Sequence, residues 1–148
     1  MHSFVSCLLH VVFSTKDRRP LITPDMQARL WPYFGGIARN HKMRVIKAGG
    51  VEDHVHLLLS LPSTLEIAKA VQLLKGNSSK WVHETFADQP AFEWQAGYGA
   101  FSIGISGMAD TIAYIENQAA HHKTITFREE LESIVKKHGI EYEEWMLD

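Results

Sequence analysis

The segment "GGVEDHVHLLLSLP", residues 49–62, constrains this chain more than any other. Side chains alternate across a strand, so Val51, Val55, Leu57, Leu59 and Leu61 share one face while Glu52, His54, His56 and Leu58 share the other. The apolar set has to lie on a core. A sheet that buries it leaves two imidazoles side by side on its opposite face. Such a pair can grip one ion or one phosphate, or it can be two exposed histidines with no shared ligand. As a metal pair it suits Zn, Mn, Fe or Mg-like ions, but it supplies only two ligands and needs a third from elsewhere.

The neighbouring segments supply a sheet for this strand. Residues 4–14, "FVSCLLHVVFS", are rich in β-branched and aromatic side chains and read as a first strand. Thr23, Pro24 and Asp25 open a helix with Met26, Leu30, Phe34 and Ile37 on its apolar face, and Pro32 and Gly35-Gly36 are positions for a kink. Residues 43–48 read as a second strand, joined to the histidine strand by a tight turn at Gly49-Gly50. Ser63 to Glu66 is a capping-box pattern for a helix that carries Ile67, Val71, Leu74 and Trp81. Residues 92–102 end in a further strand, a helix covers about 108–122, and a last helix opens at the capping box Thr126 to Glu129 and stops at Gly139. The order is that of the split βαββαβ motif: an α+β, ferredoxin-like sandwich with an antiparallel sheet, helices on one face and C-terminal helices added. No repeat, linker or low-complexity tract divides the chain, so residues 1–148 read as a single domain.

Composition narrows the chemistry. The single cysteine, Cys7, excludes an internal disulfide framework and a Cys-rich metal site, and it fits a reducing compartment. The apolar runs fall far short of the roughly 20 residues a membrane helix requires, which leads us to expect a soluble, cytoplasmic protein with no membrane partner. A net charge of −2 conceals an asymmetry: residues 1–80 hold 11 basic and 5 acidic groups, residues 81–148 hold 4 and 12. That imbalance points to an anionic partner on one surface or to charges that simply face solvent.

A second constellation is "AYIENQAAHH", residues 113–122. Tyr114 and Gln118 lie four apart on one helical face, with His121 and His122 a turn further on. Read with the histidine strand, they offer a phenol, an amide oxygen able to complete a metal shell, and two imidazoles. A phenol is a weak nucleophile until it is deprotonated or its electrophile is polarised by a metal.

The segments "DHVHLLLSLP", "YIENQAAHH", "HVVFSTKDRRPLI", "LLKGNSSKW" and "WQAGYGAFS" together resemble, in order and over nearly the whole chain, the single-tyrosine HUH transposases of the smallest bacterial insertion sequences and their REP-associated relatives. HUH denotes His, bulky hydrophobic, His, here His54, Val55 and His56. The resemblance implies a ferredoxin-like homodimer acting on single-stranded DNA with palindromic hairpins. It implies Tyr114 as the nucleophile that forms a 5′-phosphotyrosine link and frees a 3′-OH, and a divalent ion, Mg²⁺ or Mn²⁺, held by His54, His56 and Gln118. It further implies that the tyrosine helix can dock on the partner subunit, making a composite site. For nucleic-acid binding the candidates are Lys16, Arg18, Arg19, Arg44, Lys47, Lys75, Lys80 and Tyr98, with Trp81 read as core and His121 and His122 left outside the metal shell. Two other classes remain alternatives: a DNA-binding protein on the same fold that does not cut, and a metal hydrolase that uses a positioned water.

Overall fold

A computed structural model describes residues 1–148. Strands β1 (Leu8–Ser14), β2 (Arg44–Gly50), β3 (His54–Ser60) and β4 (Gly99–Ile103) form one antiparallel sheet in the order β2-β3-β1-β4. Helices α1 (Pro24–Asn40) and α2 (Ile67–Thr85) occupy the two crossovers and pack on one face. Leu9, Val11 and Phe13 of β1 and Val55, Leu57 and Leu59 of β3 meet Met26, Leu30, Phe34, Val71 and Leu74 there, all buried. Each such side chain contributes roughly 1.5–3 kcal/mol by leaving water, so this cluster dominates the driving force for folding. The βαββαβ expectation holds.

The opposite face is covered too. Helices α3 (Met108–Glu116), α4 (Gln118–His121) and α5 (Phe127–Lys137) roof it, and Val12 and Phe101 of the sheet pack on Phe127, Ile134 and Val135 of α5. His54 and His56 are therefore fully buried, which removes the reading of two exposed histidines. No helix is long and apolar enough to cross a membrane.

Several local expectations shift. β1 starts at Leu8, which pairs with Ser60 and Ile103 at the ends of β3 and β4; of the residues before it, Cys7 still accepts from Leu61 N–H at 2.9 Å. The Gly49-Gly50 pair is not the turn. Both glycines belong to β2, opposite His56 and Val55, and the chain reverses over residues 51–53. A Cβ on Gly49 would fall 2.5 Å from the carbonyl oxygen of Ile115, so the missing side chain is what lets α3 lie against β2. Ser63 to Glu66 forms no capping box. Ser63 and Thr64 lie in a turn closed by Leu65 N–H on Pro62 O, and α2 starts from Glu66 with no side-chain cap. α1 runs unbroken through Pro32 and the glycine pair, whereas the helix expected over 108–122 breaks at Asn117 (φ −97°, ψ 17°). Thr23 caps α1, the Thr126–Glu129 capping box is present, and Gly139 takes φ 66° just beyond α5.

Candidate active site

The floor of the site comes from the two central strands. His10 of β1 and His54 and His56 of β3 all point to the roofed face. His54 Nδ1 is 2.7 Å from Asp53 Oδ1, and His56 Nδ1 is 2.8 Å from His10 Nε2. With their Nδ1 atoms engaged on the sheet side, both rings turn Nε2 toward the roof. Partners of this kind fix the orientation and basicity of a metal-binding imidazole.

The roof supplies the other groups. Tyr114 of α3 stands over His56, ring centroids 5.7 Å apart. Gln118 opens α4 after the Asn117 break; its Oε1 is 3.1 Å from His54 Nε2. The structure thus brings together the four residues expected at the reaction centre: His54, His56, Tyr114 and Gln118.

It also brings in residues the sequence reading left out. Glu130 of α5, 1% exposed, lies at the centre. One carboxylate oxygen, Oε1, is 3.2 Å from His54 Nε2, 2.9 Å from His56 Nε2 and 3.0 Å from His122 Nε2. The other, Oε2, accepts from the Tyr114 hydroxyl and, at 3.0 Å, from Gln118 Nε2. His121 Nε2 stands 3.3 Å from both Tyr114 Oη and Glu130 Oε2. A signal for Glu130 existed: it is an acid at an apolar position of α5, in step with Phe127 and Ile134. His10 likewise interrupts an otherwise apolar strand.

Buried charge of this kind is tightly coupled. Burial alone would raise the Glu130 pKa, but hydrogen bonds from His54 and His56 hold it below the usual carboxylate range. Burial opposes a charge on His54 as well, yet its bonds to Asp53 and Glu130 prevail and push it up to about 9. For His56 burial prevails and lowers the pKa, and His10 is pushed down to about 3 by burial and by neighbouring His56. Burial, then the Glu130 contact, raises the Tyr114 phenol.

One donor atom each from His54, His56, His122 and Glu130 lies within 4.8 Å of all the others, a set whose nitrogen and oxygen chemistry fits a divalent ion. Half-buried Tyr114 is reached through a cleft of about 560 Å³ that His10, Thr111, Lys137 and His138 help to line.

The nucleic-acid candidates scatter. Lys16, 3.4 Å from Glu93, lies at the end of β1 with exposed Arg19. Arg18 donates to the carbonyl oxygen of Leu147 and covers the Phe127 ring at 4.9 Å. Lys75 bonds the carbonyls of Gln95 (2.5 Å) and Gly97 (2.9 Å), tying down the loop that carries exposed Tyr98. Arg44 is exposed, and Lys47 pairs with Glu116 at 2.9 Å, both on the far edge strand β2. Lys80 is solvent-facing on α2, and Trp81 stacks on Tyr33 at 4.3 Å on the margin of the core.

Comparison with known proteins agrees with this picture. The family model described as "Transposase IS200 like" matches residues 3–118. The transposase for insertion sequence element IS200 of Salmonella typhimurium is 26% identical over 82% of this chain and 83% of its own length. The ISDra2 transposase TnpA of Deinococcus radiodurans is 26% identical over 74% of this chain and 81% of its own. Among solved structures, a candidate transposase from Deinococcus radiodurans R1 superposes with TM-score 0.64 at 23% identity, covering 80% of this chain and 95% of that one. A REP-associated tyrosine transposase bound to a REP hairpin superposes with TM-score 0.60 at 14% identity, covering 84% of this chain and 74% of that one. The two superpositions support the fold.

Proposed function

The chain belongs to the IS200-like transposase family, and from that premise we propose that it cleaves and rejoins single-stranded DNA at hairpin ends through a covalent tyrosine intermediate. The observation that carries the proposal is the convergence of Tyr114 Oη with His54, His56 and Gln118 about one buried point, bridged by Glu130.

In the first step Tyr114 Oη attacks the scissile phosphorus. The Oη–P bond forms, the bond to the 3′ oxygen breaks with its electron pair on that oxygen, and a proton taken up there leaves the strand ending in a free 3′-OH. Glu130 Oε2 and His121 Nε2 face the phenol and are acceptors at hand for its proton. In the second step a 3′-OH attacks the phosphotyrosine, a phosphodiester reforms and the phenol is released. No nucleotide cofactor is required, because the phosphotyrosine conserves the bond. His54, His56 and Gln118 are the residues we assign to a divalent ion, Mg²⁺ or Mn²⁺. When bound, it supplies polarisation of the phosphate and charge stabilisation at the non-bridging oxygens. The hairpin complex of the REP-associated neighbour supports a folded palindrome as the DNA partner here, with a homodimer as the working unit.

The test is incubation of purified protein with labelled single-stranded DNA bearing hairpins, in Mg²⁺, Mn²⁺ or EDTA, followed by denaturing electrophoresis. A covalent adduct that needs the ion and vanishes in Tyr114→Phe is the expected result. Hairpin binding with no adduct would leave a binder that does not cut.

A further inference from the structure

We propose that Glu130 and His122, both C-terminal to the family-matched segment, are metal ligands, and that the completed donor set selects Mn²⁺-like ions over Mg²⁺. The inference rests on the metal-dependent reading above and adds two residues to the shell assigned there.

The Nδ1 atom of His54 faces a carboxylate oxygen of Asp53 at 2.7 Å, and that of His122 faces the carbonyl oxygen of Ile125 at 3.0 Å. An oxygen acceptor at Nδ1 places the ring proton there, so in the neutral ring Nε2 carries a lone pair. Both Nε2 atoms nevertheless aim at an oxygen, Glu130 Oε1, at 3.2 and 3.0 Å. His54 Nε2 also meets Gln118 Oε1 at 3.1 Å. Lone pairs set against lone pairs repel, and only a positive charge between them turns the arrangement attractive. In the metal-free chain a proton on His54 meets that need for one ring, whereas a divalent cation serves both rings and the carboxylate together.

The construction of α5 points the same way. The Thr126 capping box anchors its first turn, and Phe127 stacks on the His54 ring at 4.2 Å. Glu130 then follows one turn later and projects into the face shared with Phe127 and Ile134. A carboxylate buried to 1% exposure is costly unless its charge is compensated. Its second oxygen remains on Tyr114 and Gln118, so the same group ties the ion to the nucleophile.

Three imidazoles with a carboxylate and an amide oxygen form a set rich in nitrogen. Mg²⁺ prefers oxygen ligands and retains several waters, while imidazole suits the transition ions. The expected order is Mn²⁺ bound more tightly than Mg²⁺.

The experiment is a Mn²⁺ titration of the DNA-free protein, followed by electron paramagnetic resonance of the free ion. It covers wild type, Glu130→Gln, Glu130→Ala, His122→Ala and the His54→Ala/His56→Ala double variant, with thermal melts to establish folding and Mg²⁺ as competitor. We expect one Mn²⁺ per chain, weakening by about ten-fold or more in Glu130→Gln and His122→Ala, as for other losses at a metal site, and displacement only by excess Mg²⁺. Folded Glu130 variants that bind Mn²⁺ as tightly as wild type, or more tightly, would overturn the inference; tighter binding would make Glu130 an occupant that the ion displaces. If the double histidine variant alone loses the ion, the inference fails and the proposed function stands. If even that variant binds like wild type, the metal reading fails with it.

Discussion

His54 holds a proton that its buried position would otherwise exclude, and His10, two strand positions from His56's partner Val12, refuses one. With His54 pushed up to about 9 and His10 down to about 3 from 6.5, the metal-free chain should be most stable near pH 6.5. On the alkaline side the unfolded chain releases a proton that folded His54 retains, so stability falls as pH rises from 6.5 through about 9. That limb is on the order of 3 kcal/mol, from 1.36 kcal/mol per pH unit. On the acid side the unfolded chain binds a proton that folded His10 declines, so stability falls as pH drops from 6.5 toward 3, and the depressed Glu130 pKa adds to the loss. Urea melts in EDTA at pH values from 3 to 9 measure both limbs, and a profile flat above 6.5 would contradict the His54 assignment.

At the scale of elements, Gly49 decides how closely the tyrosine helix approaches the sheet. A methyl at that position collides with the Ile115 carbonyl, one residue from Tyr114. Gly49→Ala should cost about 1–3 kcal/mol of stability by overpacking. It should also reduce adduct formation much more than hairpin binding, because it moves Tyr114, the proposed nucleophile, relative to His56. Parallel melts, gel shifts and adduct assays test this, and an unchanged adduct yield would show that α3 tolerates the shift. The strands, α1, α2 and the capped start of α5 were legible because periodicity and capping are local signals. The role of Gly49 was hidden, since a Gly-Gly pair marks a turn and a close helix approach equally well. Glu130 showed only as an acid at an apolar position of α5; what it meets there was hidden, because its histidine partners on β3 are 74 and 76 positions away in sequence.

For the molecule as a whole, the family-matched segment ends at residue 118, so the sheet and tyrosine helix belong to it while His122 and α5 lie beyond. The charge imbalance along the chain is partly cancelled in space, since Lys16 pairs with Glu93 and Lys47 with Glu116 across the two halves. His54, His56, Tyr114 and Gln118 meet within one chain, an arrangement that needs no residue from a second copy. Mixing Tyr114→Phe protein with the His54→Ala/His56→Ala variant should therefore restore no adduct formation. Recovery of activity in the mixture would show that subunits exchange their tyrosine helices. The composite arrangement was an open expectation of the sequence because strand and helix signals do not say which copy a helix packs on.

The break at Asn117 gives the site two unequal jaws. The lower one is β3, laced on both sides by the ladders to β1 and β2, and its imidazoles are as fixed as the sheet. The upper jaw is a nine-residue helix, a four-residue helix and a capped third, joined at non-helical residues. The proposed reaction, which keeps one strand end covalently attached while exchanging the other, needs such an asymmetry: one jaw to keep its grip, and one able to let go.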